Sequence, residues 1–70
     1  KLRALRLDIA RELGKPPYIV FSDKTLRDMV RVKPITDDQF LAVNGVGESK
    51  LKQYGERFMA AIREDSGDEA

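Results

Sequence analysis

Two short stretches of this chain hold residue types that can do chemistry with a polyanion. The first is Val43-Asn44-Gly45-Val46-Gly47, followed by Glu48-Ser49-Lys50-Leu51. Two glycines flank one apolar residue, between the end of one helical pattern and the start of the next. Glycine there permits positive φ and close approach of another group. A helix start also presents free backbone N–H groups and the positive end of a dipole, which suit phosphate oxygens. Gly47 would offer backbone N–H, and Lys50, in the first turn, would add a point charge. An ordinary helix–helix turn whose helix happens to carry a lysine has the same spacing.

The second stretch is Arg11, then Lys15-Pro16-Pro17-Tyr18-Ile19-Val20-Phe21. Tyr18 follows two prolines and precedes an apolar pair. Its ring can stack on an unpaired base, worth ~1–3 kcal/mol per base. Alternatively it is a core ring with its hydroxyl at the surface. Lys15 and Arg11 are its basic neighbours and would hold phosphates. Lys24 falls in the first turn of a later helix, a poor place for a cation beside the dipole. That mismatch points to a functional reason for it.

Catalysis is the reading these residues support least. The chain has no cysteine and no histidine. Disulfide staples, Cys/His zinc sites and histidine acid–base chemistry are excluded. Gly45-Val46-Gly47 lacks the Gly-Lys-Ser/Thr ending of a nucleotide-binding loop. No nucleophile–base pair is visible. Asp37-Asp38 belongs to a helix cap rather than to a metal pair. No catalytic residue, metal or cofactor is therefore expected. No apolar run approaches the ~20 residues of a membrane span. No signal peptide is visible, so a cytoplasmic protein is expected, and Lys1 begins mid-pattern as if the domain were cut from something longer.

Net charge is +1, but it is unevenly spread. Residues 1–35 carry nine Lys/Arg and four acids; residues 36–70 carry four Lys/Arg and eight acids. The basic half suits a polyanion, and the acidic half would repel one unless it faces away.

The elements that must position these groups are helical. Leu2, Leu5, Ile9 and Leu13 form one apolar stripe of a first helix, which Gly14 stops. Pro16-Pro17 forbids its continuation and predicts an extended or 3₁₀ connection through Phe21. Ser22 or Asp23 caps a second helix with Leu26, Met29 and Val30 on its apolar face. Pro34 ends it. Thr36-Asp37-Asp38-Gln39 reads as a capping box, with Ile35 and Phe40 spaced as a hydrophobic staple. From Glu48 a helical pattern runs through Leu51, Tyr54, Phe58, Met59 and Ile62. Gly55 inside it costs ~1 kcal/mol against alanine and implies a kink, a break or close packing. Tyr54 lies on the apolar stripe and reads as core. The expected fold is all-α: a small bundle of four to five short helices with a 3₁₀/extended Pro-Pro-Tyr connection. One domain spans residues 1–65, and 66–70 form an acidic, frayed tail. The expected core also includes Ile19, Leu41 and Val43.

In order, these pieces resemble a known family. Leu2-Arg3-x-Leu5-Arg6…Ile9-Ala10, then Gly14-Lys15-Pro16-Pro17-Tyr18-Ile19-Val20-Phe21-Ser22-Asp23-x-Thr25-Leu26, then Asn44-Gly45-Val46-Gly47-x-x-Lys50-Leu51-x-x-Tyr54-Gly55 resembles the HRDC (helicase and RNase D C-terminal) domain. The Pro-Pro-Tyr wording and the Gly-Val-Gly loop look most like the version in bacterial RecQ DNA helicases. The resemblance implies a five-helix bundle that is not itself an enzyme. It would be a monomeric accessory module on the helicase core of the same chain, in the bacterial cytoplasm at nucleoid DNA. It would weakly bind single-stranded or partly duplex DNA and tune DNA-structure specificity in repair and recombination. The matching binding positions are Arg11, Lys15, Tyr18, Lys24, Gly47 and Lys50. The alternative is a protein-interaction or intramolecular regulatory module that docks on the helicase body or a repair partner without binding DNA. An RNA-directed relative of RNase D is a further rival.

Overall fold

The computed structural model describes residues 2–69, and side chains over 2–64. Four helices come first: α1 (Leu2–Leu13), α2 (Pro17–Val20), α3 (Asp23–Val32) and α4 (Asp37–Leu41). A longer helical run follows without interruption: α5 (Glu48–Lys50), a π-helical segment (Leu51–Gly55) and α6 (Glu56–Glu69). Counting that run once gives the expected five-helix, all-α bundle. No strand occurs among the described residues. The tail expected over 66–70 falls outside the residues whose side chains are described.

Local chemistry sets the boundaries. Gly14 takes φ +66 after α1. Its N–H donates to Arg11 O at 3.2 Å and the Lys15 N–H to Ala10 O at 3.0 Å. This Schellman pair satisfies the last carbonyls and turns the chain. The Ser22 hydroxyl accepts from the Thr25 N–H at 3.2 Å, capping α3. Thr36 accepts from the Gln39 N–H at 3.2 Å, as a capping box requires. The Gln39 side chain reaches one residue further back than expected, accepting from the Ile35 N–H at 2.9 Å.

The Pro-Pro-Tyr connection is tighter than an extended linker. Pro16 is extended, and its carbonyl accepts from the Ile19 N–H at 3.1 Å. Pro17, with φ preset for a first helical position, lets Pro17–Val20 close one helical turn. The chain then re-extends at Phe21.

Phe21 is the centre of the core. Its ring meets Phe58 edge-on at 5.0 Å between centroids, Tyr54 at 5.8 Å and Phe40 at 6.0 Å. Edge-to-face geometry suits the ring quadrupoles. Ile9, Ala10, Val20, Leu26, Met29, Val43 and Met59 complete the cluster. Tyr54 is buried, as expected. Gly55 does not break the helical run. A Cβ on it would lie 2.6 Å from Leu51 Cδ1 and 3.6 Å from the Phe40 ring, so it permits close packing within the π segment.

Three expected core residues lie at the surface. Val30 is 59% exposed, Leu13 46% and Ile19 36%. On α3 the buried face is Thr25, Leu26 and Met29, which places Val30 roughly a quarter-turn away. Thr25 is admitted because its hydroxyl is paired with Ser22 at 3.0 Å. At the end of α1 the chain folds back on the Ala10 side, where a methyl allows close approach, and Leu13 stays outside.

Candidate nucleic-acid interface

The α2 turn places its four residues on two sides. Val20 is buried completely, and Phe21 behind it enters the core. Tyr18 is 68% exposed, so its ring is free to stack. The core-ring alternative for Tyr18 is thereby removed. Helical geometry causes the split: in a single turn, only the residue nearest the core can bury its side chain.

Two cations hold this turn from behind. Arg6, on α1, donates from one guanidinium nitrogen to Phe21 O at 3.0 Å and to Asp23 Oδ1 at 2.8 Å. Lys50 reaches across from α5. Its Nζ donates to Ile19 O and, at 2.9 Å, to Val20 O. It also lies 5.6 Å from the Tyr54 ring centroid and 5.8 Å from that of Phe21. Partial burial, then the nearby Lys15 ammonium, push the Lys50 pKa below its ordinary value. The expectation that Lys50 offers a free charge to a phosphate at the glycine loop does not fit this geometry. Two of its three N–H donors are spent on backbone carbonyls.

The glycine loop is likewise engaged with the protein. Gly45 takes φ +88, and a Cβ there would come within 2.3 Å of Thr25 Oγ1. The Asn44 N–H donates to Asp28 Oδ2 at 2.8 Å. Asp28 is held below the ordinary carboxylate range, first by that amide and then by Arg31, whose Nε lies 2.9 Å from Oδ1. Val43 is buried beneath. Gly47 is different: its backbone is extended, and a Cβ on it would meet nothing within 4 Å. It remains open to approach.

Among the six expected binding positions, the structure brings Lys15, Tyr18 and Lys50 to one region. Lys15 is close enough for its charge to act on Lys50, and Tyr18 is in the turn that Lys50 holds. Arg11 is exposed in the last turn of α1, ahead of Lys15. Lys24 is exposed on α3, and its charge acts on Asp28, on the glycine-loop side. No described contact joins Lys24 or Gly47 to Tyr18.

Of the second half's acids, Asp37 and Glu56 line a groove together with Lys52 and Arg63. The groove, of about 540 Å³ between α4 and α6, is also lined by Leu51, Met59 and Ala60. Neither Lys15 nor Tyr18 borders it. Glu12 is neutralised by Arg57 through two hydrogen bonds of 3.0 Å, which also tie α1 to α6. That pairing lowers the Glu12 pKa and raises that of Arg57. Sequence reasoning missed Arg6 and Asp28. Only their charge on otherwise amphipathic helices marked them.

Among the described residues no group of His, Cys, Asp and Glu is placed to hold a metal ion, and no helix is long and apolar enough to cross a membrane.

Residues 1–62 match the HRDC domain. Over 63 residues the chain is 46% identical to the ATP-dependent DNA helicase RecQ of Bacillus subtilis, covering 90% of this chain and 11% of that protein. Over 64 residues it is 47% identical to the RecQ of Haemophilus influenzae, covering 91% of this chain and 10% of that protein. The solved D. radiodurans RecQ HRDC domain 3 matches with a TM-score of 0.84 at 36% identity, over 87% of this chain and 80% of that one. The chain thus spans about a tenth of the length of the helicases it matches.

Proposed function

The chain belongs to the HRDC domain family, and on that premise we propose that it is a non-catalytic accessory module that binds single-stranded or partly duplex DNA. The observation that carries this reading is Tyr18, an aromatic ring 68% exposed on a turn that Val20 anchors in the core. Folding exposes so large an apolar surface at some cost in burial, and stacking on an unpaired base recovers it. Lys15, whose charge reaches Lys50, and Arg11, exposed in the last turn of α1, would hold the flanking phosphates. Lys24 and the open backbone at Gly47 would offer separate phosphate contacts near the glycine loop.

The parent protein is an ATP-dependent DNA helicase of RecQ type, acting in repair and recombination at nucleoid DNA in the bacterial cytoplasm. The module is monomeric and sits beside the helicase core of the same chain. Three phosphate contacts predict a salt slope on single strands of roughly −2, from ~0.7 per contact. Binding is therefore weak at physiological salt, and tethering to the helicase turns it into useful local concentration.

A second reading has one observation in its favour. Val30 lies exposed beside Leu2 and Leu26 in a groove of about 210 Å³ edged by Arg3, Arg27 and Asp23. That face suits docking against the helicase body, and it leaves Tyr18 free.

The test is a titration of fluorescein-labelled oligo-dT by fluorescence anisotropy. Wild type binds at low salt, and Tyr18→Ala weakens binding roughly 5- to 150-fold. Absence of wild-type binding at low salt, or an unchanged Kd for Tyr18→Ala, overturns the proposal.

A further inference from the structure

We infer that Lys50 is a positioning residue for the Tyr18 turn, acting on DNA through Tyr18 rather than through a phosphate. The inference rests on the DNA-binding reading above and deepens it. Three features of the structure carry it.

The first is where the ammonium goes. Lys50 Nζ donates to Ile19 O and to Val20 O, the last two carbonyls of α2. These are the orphan acceptors at the end of a helical turn, and they carry its partial negative charge. A four-residue helix has one turn and cannot hold itself closed in water. It needs help from outside its own sequence, and Lys50 supplies it from thirty residues away.

The second is how the side chain is fixed. Lys50 crosses the aromatic cluster, with Tyr54 at 5.6 Å and Phe21 at 5.8 Å from Nζ. The rings attract the cation and confine it to one arrangement. A lysine meant to follow a mobile phosphate gains nothing from such confinement.

The third is what sits next to the bonded carbonyls. Ile19 directly follows Tyr18, so fixing the Ile19 and Val20 carbonyls fixes the backbone from which the Tyr18 ring projects. Two cations hold the turn and its exit: Lys50 on its carbonyls and Arg6 on Phe21 O. Pre-organising an exposed ring in this way lowers the ordering cost of binding.

Positioning and phosphate contact make different predictions, because a phosphate contact shows in the salt slope and a positioning role does not. The variants are Lys50→Met, which keeps the stem, Lys50→Arg, which keeps a cationic donor, Tyr18→Ala, Lys15→Ala, and Lys50→Met combined with Tyr18→Ala. Each is titrated with labelled oligo-dT over a series of salt concentrations. Lys15→Ala should flatten the slope by ~0.7. Lys50→Met should weaken binding with the slope unchanged. The double variant should bind no more weakly than Tyr18→Ala alone, and Lys50→Arg should recover most of the wild-type affinity. A slope flattened by ~0.7 in Lys50→Met, with losses that multiply in the double variant, overturns the inference and makes Lys50 a phosphate ligand.

A second measurement stands apart from DNA. The Tyr18 ring resonances in NMR spectra of the free protein should shift in Lys50→Met and stay near wild type in Lys50→Arg. Unmoved Tyr18 resonances in Lys50→Met overturn the inference whatever the titration gives. Failure of wild type to bind oligo-dT sinks the DNA-binding reading, whereas the NMR result still decides whether Lys50 positions the turn.

Discussion

The Pro-Pro-Tyr turn and the glycine loop exchange roles between sequence and structure. The loop carries the motif that looks built for a ligand, yet its chemistry is turned inward: Asn44 N–H on Asp28, Gly45 against Thr25, Val43 in the core. The turn looks like a connector between two helices, yet it exposes the largest aromatic surface of the described residues at Tyr18. The difference lies in what each segment gives up. A glycine removes a side chain so that two pieces of backbone can close. A diproline removes conformations, so that a neighbouring side chain can be held out at little entropic cost. Lys50 links the two regions: it belongs to the helix that follows the loop and serves the turn.

The two tyrosines sharpen this contrast with the largest expected effect. Tyr54 is buried against Phe21, and Tyr54→Ala should cost about 3–5 kcal/mol as a cavity in an aromatic core. A 70-residue domain has roughly 4–10 kcal/mol in all. Thermal unfolding followed by circular dichroism should therefore show a large drop in midpoint or loss of the transition. DNA affinity should fall with the folded fraction, and further to the extent that losing the Tyr54 ring releases Lys50.

Gly45→Ala comes next. Its positive φ costs a non-glycine residue about 1–3 kcal/mol, and forcing a methyl onto Thr25 Oγ1 costs about as much again. Pairing it with Thr25→Ala removes the collision and leaves the backbone strain and the loss of the Ser22–Thr25 hydroxyl bond, worth about 1 kcal/mol. Denaturant unfolding should then show the double variant more stable than Gly45→Ala alone. An Ala at Gly47, where a Cβ meets nothing, should be nearly silent.

Tyr18→Ala inverts the pattern. The ring is largely in solvent, so its loss should change stability by less than about 0.5 kcal/mol, or within about 4 °C in melting temperature. Its loss should cost about 1–3 kcal/mol of single-strand affinity. If Tyr18→Ala instead lowers the melting temperature as Tyr54→Ala does, the division between a binding turn and a structural loop is wrong.

What the sequence made legible follows the range of the interactions. Ser22 and Thr36 as caps, Gly14 as a stop and Tyr54 as core all rest on bonds or periodicities spanning a few residues, and each was readable. Lys50 was readable as a lysine at a helix start but not as a partner of Ile19 and Val20, because nothing local joins residues thirty apart. The same holds for Arg6 with Asp23 and Asp28 with Asn44. Val30 was misplaced because a polar Thr25, paired with Ser22 and covered by the glycine loop, took the inner position. The π segment left no periodic signature beyond Gly55.

Acid offers the smallest and most selective way to separate the two regions. The described side-chain anchor of the loop is a carboxylate, Asp28, whose pKa is depressed mainly by the Asn44 amide and then by Arg31. A depressed folded-state value means the stabilisation is fully present above the ordinary carboxylate range near pH 4 and is lost as pH falls through the lowered value. The carbonyls of the turn are held not by a carboxylate but by basic side chains, Lys50 on Ile19 and Val20 and Arg6 on Phe21. Asp23 and Glu12 are also depressed, by Arg6 and by Arg57, so overall stability should decline below about pH 4 as well. Within that decline the order should be visible by NMR. The Asn44 amide resonance should titrate and its hydrogen exchange accelerate, while the Tyr18 ring resonances stay fixed until global unfolding. Asp28→Asn should reproduce the loosened Asn44 amide at neutral pH and leave the Tyr18 ring and the single-strand affinity near wild type. Joint movement of both sets of resonances at one pH would mean that turn and loop form a single cooperative unit, with Lys50 transmitting the state of one to the other.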